Sequence, residues 1–152
     1  MRESEFHEMA NMENSHWWYV GRRSILQSFL SKLNLSNEAK ILEIGCGTGA
    51  NIELLNKFGS VSILEPNKFD LNNLDKKKLK IANIKIGDCP NDLIYKKKFD
   101  LVCLFDVLEH IDEDERTLNK ISNILKLNGY IFLTVPAYQW LWSGHDERLM
   151  HK

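Results

Sequence analysis

From Lys40 onward the chain alternates short apolar runs with longer amphipathic stretches, and this alternation admits few architectures. Ile41–Ile44, Val61–Leu64, Ile84–Ile86, Leu101–Phe105 and Tyr130–Val135 have the length and side chains of buried strands. Between them, apolar spacing predicts helices over Ala50–Phe58, near Asp70–Lys77 and over Asp114–Leu125, with Asn128-Gly129 marking the turn into the last strand. Strands separated by helices require crossover connections, and crossovers give a parallel sheet with helices on both faces. The predicted fold class is therefore α/β, with five strands readable.

Two further helices are predicted ahead of this series. Glu3–Met12 carries a weak pattern, and Arg22–Leu33 a stronger one, with Ile25, Phe29, Leu30 and Leu33 at helical spacing. The chain thus divides into an N-terminal helical cap, residues 1–36, and one α/β domain, residues 37–152. At 152 residues and 43% hydrophobic, a single core is sufficient, burying roughly 68–70% of the unfolded chain's surface.

Charge narrows the partners. Lys+Arg 20 against Asp+Glu 21 leaves a net charge of -1, so no global field draws in nucleic acid or an anionic membrane. The lysine-dense strip from Lys68 to Lys98 reads as a solvated face, with an anion-binding patch as the alternative. Cys46, Cys89 and Cys103 are odd in number and widely spaced, without the CxxC or Cys/His grouping of a metal site. No metal is expected, and reduced thiols suit a cytoplasmic protein. No apolar run approaches the roughly 20 residues of a membrane span, and the first residues lack a secretory pattern.

The stretch ILEIGCGTGAN, Ile41 to Asn51, marks the functional end of the sheet. In open α/β sheets ligands lie beyond the carboxyl ends of the strands, where the winding reverses, and the first loop belongs there. Gly45, Gly47 and Gly49 let the chain turn sharply and bring backbone N–H groups toward a ligand, with a helix N-terminus following. Gly45-x-Gly47-x-x-Ala50 also fits a dinucleotide template, a weak signal alone.

Two acids sharpen the reading. Glu43 ends the first strand beside the ligand mouth, where a carboxylate repels a pyrophosphate and suits a cation. Glu65 ends the second strand, a position from which a carboxylate accepts ribose hydroxyls. The alternatives are a strand-end charge with a backbone partner for Glu43 and a helix-start acid ahead of Pro66 for Glu65.

With these features the chain resembles the class I S-adenosylmethionine-dependent methyltransferases, specifically small bacterial members of the type 11/12 kind. ILEIGCGTG matches their first motif, acid-x-Gly-x-Gly-x-Gly. IKIGDCP resembles their third-strand end, FDLVCLFDVLEHI the fourth strand, and LKLNGYIFLTVP the turn and strand beyond. HWWYVGRR and WLWSGHDERLMHK resemble one bacterial branch of the group. The resemblance implies a Rossmann-like fold, S-adenosylmethionine as cofactor and a small-molecule or lipid- or saccharide-linked methyl acceptor. It places Glu43 and Gly45 by the methionine part, Gly47 by the adenosyl part, Glu65 at the ribose, Asp88 with Cys89 at the adenine, and Phe105 with Asp106 closing the site. Asp88 also suits a turn or cap, and Phe105 the core.

No catalytic residue is assigned. His110, in VLEHI, is the best candidate for a base, against the commoner packed or capping histidine. Glu109 either binds substrate or adjoins the acidic run Asp112–Glu115, which suits the first turn of a helix. Trp17, Trp18, Tyr19, Tyr138, Trp140 and Trp142 are read as a lid or pocket wall, or as plain packing. Arg22, Arg23, His145, Arg148 and His151 either meet an anionic acceptor or are surface charge.

The resembling proteins usually have seven strands, and the last two are missing here. That leaves the fifth strand as an apolar edge, which proteins normally cover or pair, so a homo-oligomer or a truncated chain is expected. A binding or assembly module without turnover is the alternative function, and an NAD(P)-binding oxidoreductase ranks lower.

Overall fold

The computed structural model describes residues 3–96, 98–137 and 140. Helices α1 (Glu3–Met12) and α2 (Trp17–Leu30) come first. Strand β1 (Lys40–Ile44), helix α3 (Ile52–Leu55), strand β2 (Ser60–Glu65), helices α4 (Lys68–Asn72) and α5 (Lys76–Ile81) and strand β3 (Ala82–Ile86) follow. Strand β4 (Phe99–Phe105), a 3-10 turn (Leu108–His110), helix α6 (Asp114–Ile124) and strand β5 (Leu125–Thr134) complete the order. Among the described residues no helix is long and apolar enough to cross a membrane.

The five strands form one sheet in the order β3-β2-β1-β4-β5, and every neighbouring pair is parallel. β1 lies at the middle, and the chain builds outward from it first on one side and then on the other. β1, β2 and β4 are buried on both faces, which is why their sequences read as apolar runs without alternation. Ile41 of β1 joins Leu26 and Leu30 of α2 and Ile52 and Leu55 of α3 in one core layer. Leu42 and Ile44 join Ile121 and Ile124 of α6 in the other. The helices on the two faces are therefore amphipathic by necessity: α6 buries Thr117, Ile121 and Ile124, one stripe of its surface.

Several elements differ from their predicted extents for local reasons. α2 starts five residues before Arg22 because His16 caps it, its ring accepting from Trp18 N–H at 3.4 Å. α3 is one turn instead of nine residues. The single helix predicted near Asp70–Lys77 is two, because Asn73 closes α4 and the Asp75 side chain caps α5 through Lys77 N–H at 2.8 Å. β5 starts at Leu125, so the Asn128-Gly129 turn sits inside the strand as an irregularity with a register shift opposite Phe99 and Leu101. Asn128 there has φ +64, a conformation that costs non-glycine residues other than Asn and Asp about 1–2 kcal/mol. Asn128→Val is expected to lower stability by about that amount and Asn128→Gly to leave it unchanged, as read by urea denaturation.

Among the described residues β5 pairs on one side only. Leu127, Tyr130, Ile131, Leu133 and Val135 are exposed along it, and Phe29 of α2 meets Phe132 ring to ring at 6.0 Å.

Candidate cofactor site

The strand ends converge the predicted residues. Gly45 follows β1, Glu65 closes β2, Asp88 follows β3 within two residues, and Phe105 and Asp106 stand at the end of β4. The cofactor positions named from the sequence thus lie along one rim of the sheet.

The glycine loop has the predicted sharp path, with φ of +73, +50 and +71 at Gly45, Gly47 and Gly49. Three of its amides are bonded within the protein. Gly45 N–H donates to the Leu64 carbonyl (2.9 Å), Gly47 N–H to Glu65 Oε2 (3.2 Å) and Gly49 N–H to the Cys46 carbonyl (2.8 Å). These three donors hold the loop's own shape. A side chain at Gly45 would meet Val107 at 2.6 Å, so packing against the loop after β4 also requires glycine there.

Glu43 is buried, at 1% exposure. Its Oε1 accepts from Asn51 Nδ2 at 3.4 Å, while Oε2 has no hydrogen-bond partner among the described residues. Burial pushes its carboxyl up to about 8, with the Asn51 hydrogen bond opposing and the neighbouring Glu65 charge reinforcing the rise. Burial is the main cause, and the Arg22 and Lys78 charges oppose it. Burial likewise raises the adjacent Cys46 thiol far above its usual range.

Glu65 differs in kind. It is also buried, but its two oxygens accept from Gly47 N–H (3.2 Å) and Asn67 N–H (3.0 Å). A carboxylate has about four lone-pair sites, so two remain for hydroxyl donors. The Asn67 side chain also caps α4 through Phe69 N–H (2.9 Å) and donates to Asp70 (3.0 Å). Burial raises the Asp70 carboxyl to about 6, and the Glu65 charge adds to the rise.

Asp88 is exposed and organises its own loop: Cys89 N–H donates to Asp88 Oδ1, and Asp88 N–H to Asp92 Oδ2, both at 2.8 Å. Cys89 Sγ donates to Thr117 Oγ1 of α6 at 3.7 Å, and burial raises its thiol. Phe105 is 6% exposed and stacks edge-on with Phe132 at 5.3 Å, within the core layer that also contains Leu101 and Cys103. Asp106 has φ +55. It accepts Arg22 Nη2 at 2.6 Å and the Thr134 hydroxyl at 2.8 Å, and Arg22 also donates to Thr134 Oγ1 at 2.8 Å. The Arg22 guanidinium lies over the Trp18 ring at 5.4 Å and near Phe105 at 6.0 Å.

Arg22 is therefore the link between α2 and the ends of β4 and β5. Its role was open in the sequence, because its partner Thr134 lies 112 residues away and no spacing signals a contact of that range. Asn51 carries a weak sequence signal, as a polar residue next to the glycines. Asn67, Glu13 and Thr48 carry none. His110 is exposed in the 3-10 turn, its N–H donating to the Val107 carbonyl at 3.0 Å. Trp17 and Trp140 are both exposed, whereas Tyr138, Trp142, His145, Arg148 and His151 lie outside the described residues.

A parallel sheet in this order, with an acid before a glycine loop on the central strand and a second acid at the tip of its neighbour, defines a nucleoside-binding α/β domain. The methyltransferase-domain profile matches residues 15–152, and the chain belongs to that family, in its class I, S-adenosylmethionine-dependent form. It is similar to the ubiquinone biosynthesis O-methyltransferase of Pelagibacter ubique, 33% identical over an alignment of 117 residues that covers 70% of this chain and 48% of that protein. Among solved structures it resembles Streptomyces venezuelae DesVI, with TM-score 0.72, 18% identity and coverage of 94% of this chain and 61% of that one. A S-adenosylmethionine-dependent methyltransferase from Clostridium acetobutylicum gives TM-score 0.70 at 22% identity, covering 85% and 55% respectively. The chain spans between 31% and 48% of the length of the curated relatives it matches.

The family's cofactor is S-adenosylmethionine, and the residues present suit it. The buried Glu43 oxygen without a partner is placed for a cationic or N–H donor, and Glu65 keeps lone pairs for hydroxyls.

Proposed function

We propose that this chain forms the cofactor-binding and methyl-transfer core of an enzyme that methylates an oxygen nucleophile on a small, largely apolar acceptor. The observation that carries the site is the buried, half-partnered Glu43 carboxyl beside the glycine loop. In this reading Glu43 and Gly45 hold the methionine part, Gly47 the adenosyl part and Glu65 the ribose hydroxyls. Asp88 and Cys89 border the adenine, and Phe105 and Asp106 close the site.

When bound, S-adenosylmethionine supplies a methyl group on an activated sulfonium leaving group. The chain's task is then placement. Well-oriented reactants gain roughly 7–11 kcal/mol from alignment, against the 10²–10⁴-fold typical of a general base, so transfer does not require a dedicated base. Arg22, fixed by Asp106 and Thr134, ties α2 over the ends of β4 and β5, and the exposed Trp17 and Trp18 at the start of α2 provide apolar surface for an acceptor. The oxygen acceptor is suggested by the O-methyltransferase relative.

The test has two parts. Saturating S-adenosylmethionine is expected to raise the melting temperature, by the linkage that stabilises any folded state a ligand prefers, and NAD is expected to leave it unchanged. Stabilisation by NAD alone overturns the site. Transfer of labelled methyl groups is then screened over hydroxylated aromatic, lipid-linked and saccharide-linked acceptors. Binding without turnover across the panel favours the binding-module reading for this chain alone.

A further inference from the structure

Glu13 stands between α1 and α2, 35 residues from the glycine loop in sequence, yet it is buried against that loop. Thr48 Oγ1 donates to Glu13 Oε2 at 2.5 Å. Lys78 Nζ donates to Glu13 Oε1 at 2.9 Å and to the Thr48 carbonyl at 3.0 Å. The two charged side chains retain 6% and 14% exposure. The Lys78 stem also borders Gly49, where an added Cβ would lie 3.2 Å from Lys78 Cδ.

Three separate segments thus meet on one residue of the loop. Thr48 sits between Gly47 and Gly49, both at positive φ, and glycines on either side give it a backbone with many accessible conformations. Thr48 is buried, and beside it lies a cavity of about 680 Å³ bordered by Thr48, Ala50, Val20, Arg23 and the Glu13–Lys78 pair itself. Polar ties are what hold the loop on that side. A buried ion pair adds little net stability, because desolvation offsets attraction, and one use of such a pair is to select a single arrangement. The arrangement selected here continues to the cofactor site, since Gly47, next to Thr48, donates to Glu65.

We infer that Glu13, Thr48 and Lys78 form a positioning unit that sets the glycine loop in its cofactor-binding shape, so that the N-terminal helical segment controls cofactor affinity through the loop. The inference rests on the assignment of Glu65 and the glycine loop to the cofactor.

The experiment is calorimetric titration of the full chain with S-adenosylmethionine, beside melting of the ligand-free proteins. Thr48→Val keeps the shape and removes the donor, and Lys78→Met keeps the stem and removes the charge. Each is expected to raise Kd about tenfold, the scale of one hydrogen bond to a charged group. Thr48→Ser, which restores the hydroxyl, is expected to stay within about twofold of wild type on that same scale. Thr48→Val/Lys78→Met is expected to cost less than the sum of the single changes, because both act on one unit. A merely structural role would lower the melting temperature of the variants and leave the Kd of the folded protein unchanged, and that result overturns the inference. If Lys78→Met does not fold, Thr48→Val and Thr48→Ser decide it. Loss of affinity in Glu65→Ala with wild-type Kd in folded Thr48→Val sinks the positioning unit alone. Absence of binding by the wild-type chain sinks the site assignment together with it.

Discussion

Between pH 6 and pH 8 the ligand-free protein is expected to lose roughly 2–3 kcal/mol more stability than its Glu43→Gln variant. The sign follows from the direction of the shift. Glu43 titrates near 4.5 in the unfolded chain and is raised to about 8 by burial in the folded one. Between those values the native state holds a proton that the unfolded state has released, so rising pH favours unfolding by up to about 1.4 kcal/mol per unit. The contribution is fully present below about pH 4.5 and is lost as pH passes through about 8. Asp70 acts in the same direction, but only up to about 6, which makes the window from 6 to 8 diagnostic for Glu43. Urea denaturation at several pH values measures the effect, with the variant cancelling titrations elsewhere. Parallel slopes for wild type and variant would show that the carboxyl is charged in the free protein.

The same group couples binding to protons. A cation placed beside the open oxygen favours the carboxylate, so S-adenosylmethionine is expected to bind more tightly at pH 8 than at pH 6 and to release a proton on binding. Calorimetry in buffers of different ionisation enthalpy reads that proton directly, and Glu43→Gln is expected to abolish it.

Glu65→Ala is expected to weaken S-adenosylmethionine binding by about 1.5–3 kcal/mol, the range for hydrogen bonds to a charged group. Two effects combine. The variant removes the acceptor proposed for the ribose hydroxyls, and it frees the Gly47 and Asn67 amides that Glu65 now fixes. Glu65→Gln separates them: its amide oxygen retains one acceptor for the loop while the charge is gone, so it is expected to fall between wild type and Ala. Isothermal titration gives the ordering. An unchanged Kd in Glu65→Ala would remove this residue from the ribose.

The sheet was legible in the sequence because β1, β2 and β4 are buried on both faces, and their apolar runs admit no amphipathic alternative. Strand ends were less legible. Lys40, Ser60 and Asp100 belong to the ladder, but backbone pairing recruits polar residues that an apolar run does not reveal. The division of the helix after β2 escaped for the opposite reason: the Asn73 and Asp75 caps compete with helix continuation and divide a stretch whose spacing alone looks continuous. In the site, Glu43, Glu65 and the glycines are local in sequence and could be read as a motif. Arg22 with Thr134, and Glu13 with Lys78, are joined across 112 and 65 residues, and only the folded topology brings such pairs together.

With β1 between β2 and β4, every group proposed to meet the cofactor comes from a strand tip or the loop beyond it. The residues that weld the layers, such as Ile41, Leu42 and Ile44, are sealed inside, while Asp88 and His110 face water. Changes confined to exposed rim positions such as these therefore leave that packing untouched, and a lineage built on this frame is free to exchange one acceptor for another by altering loops, at little cost to its ability to fold.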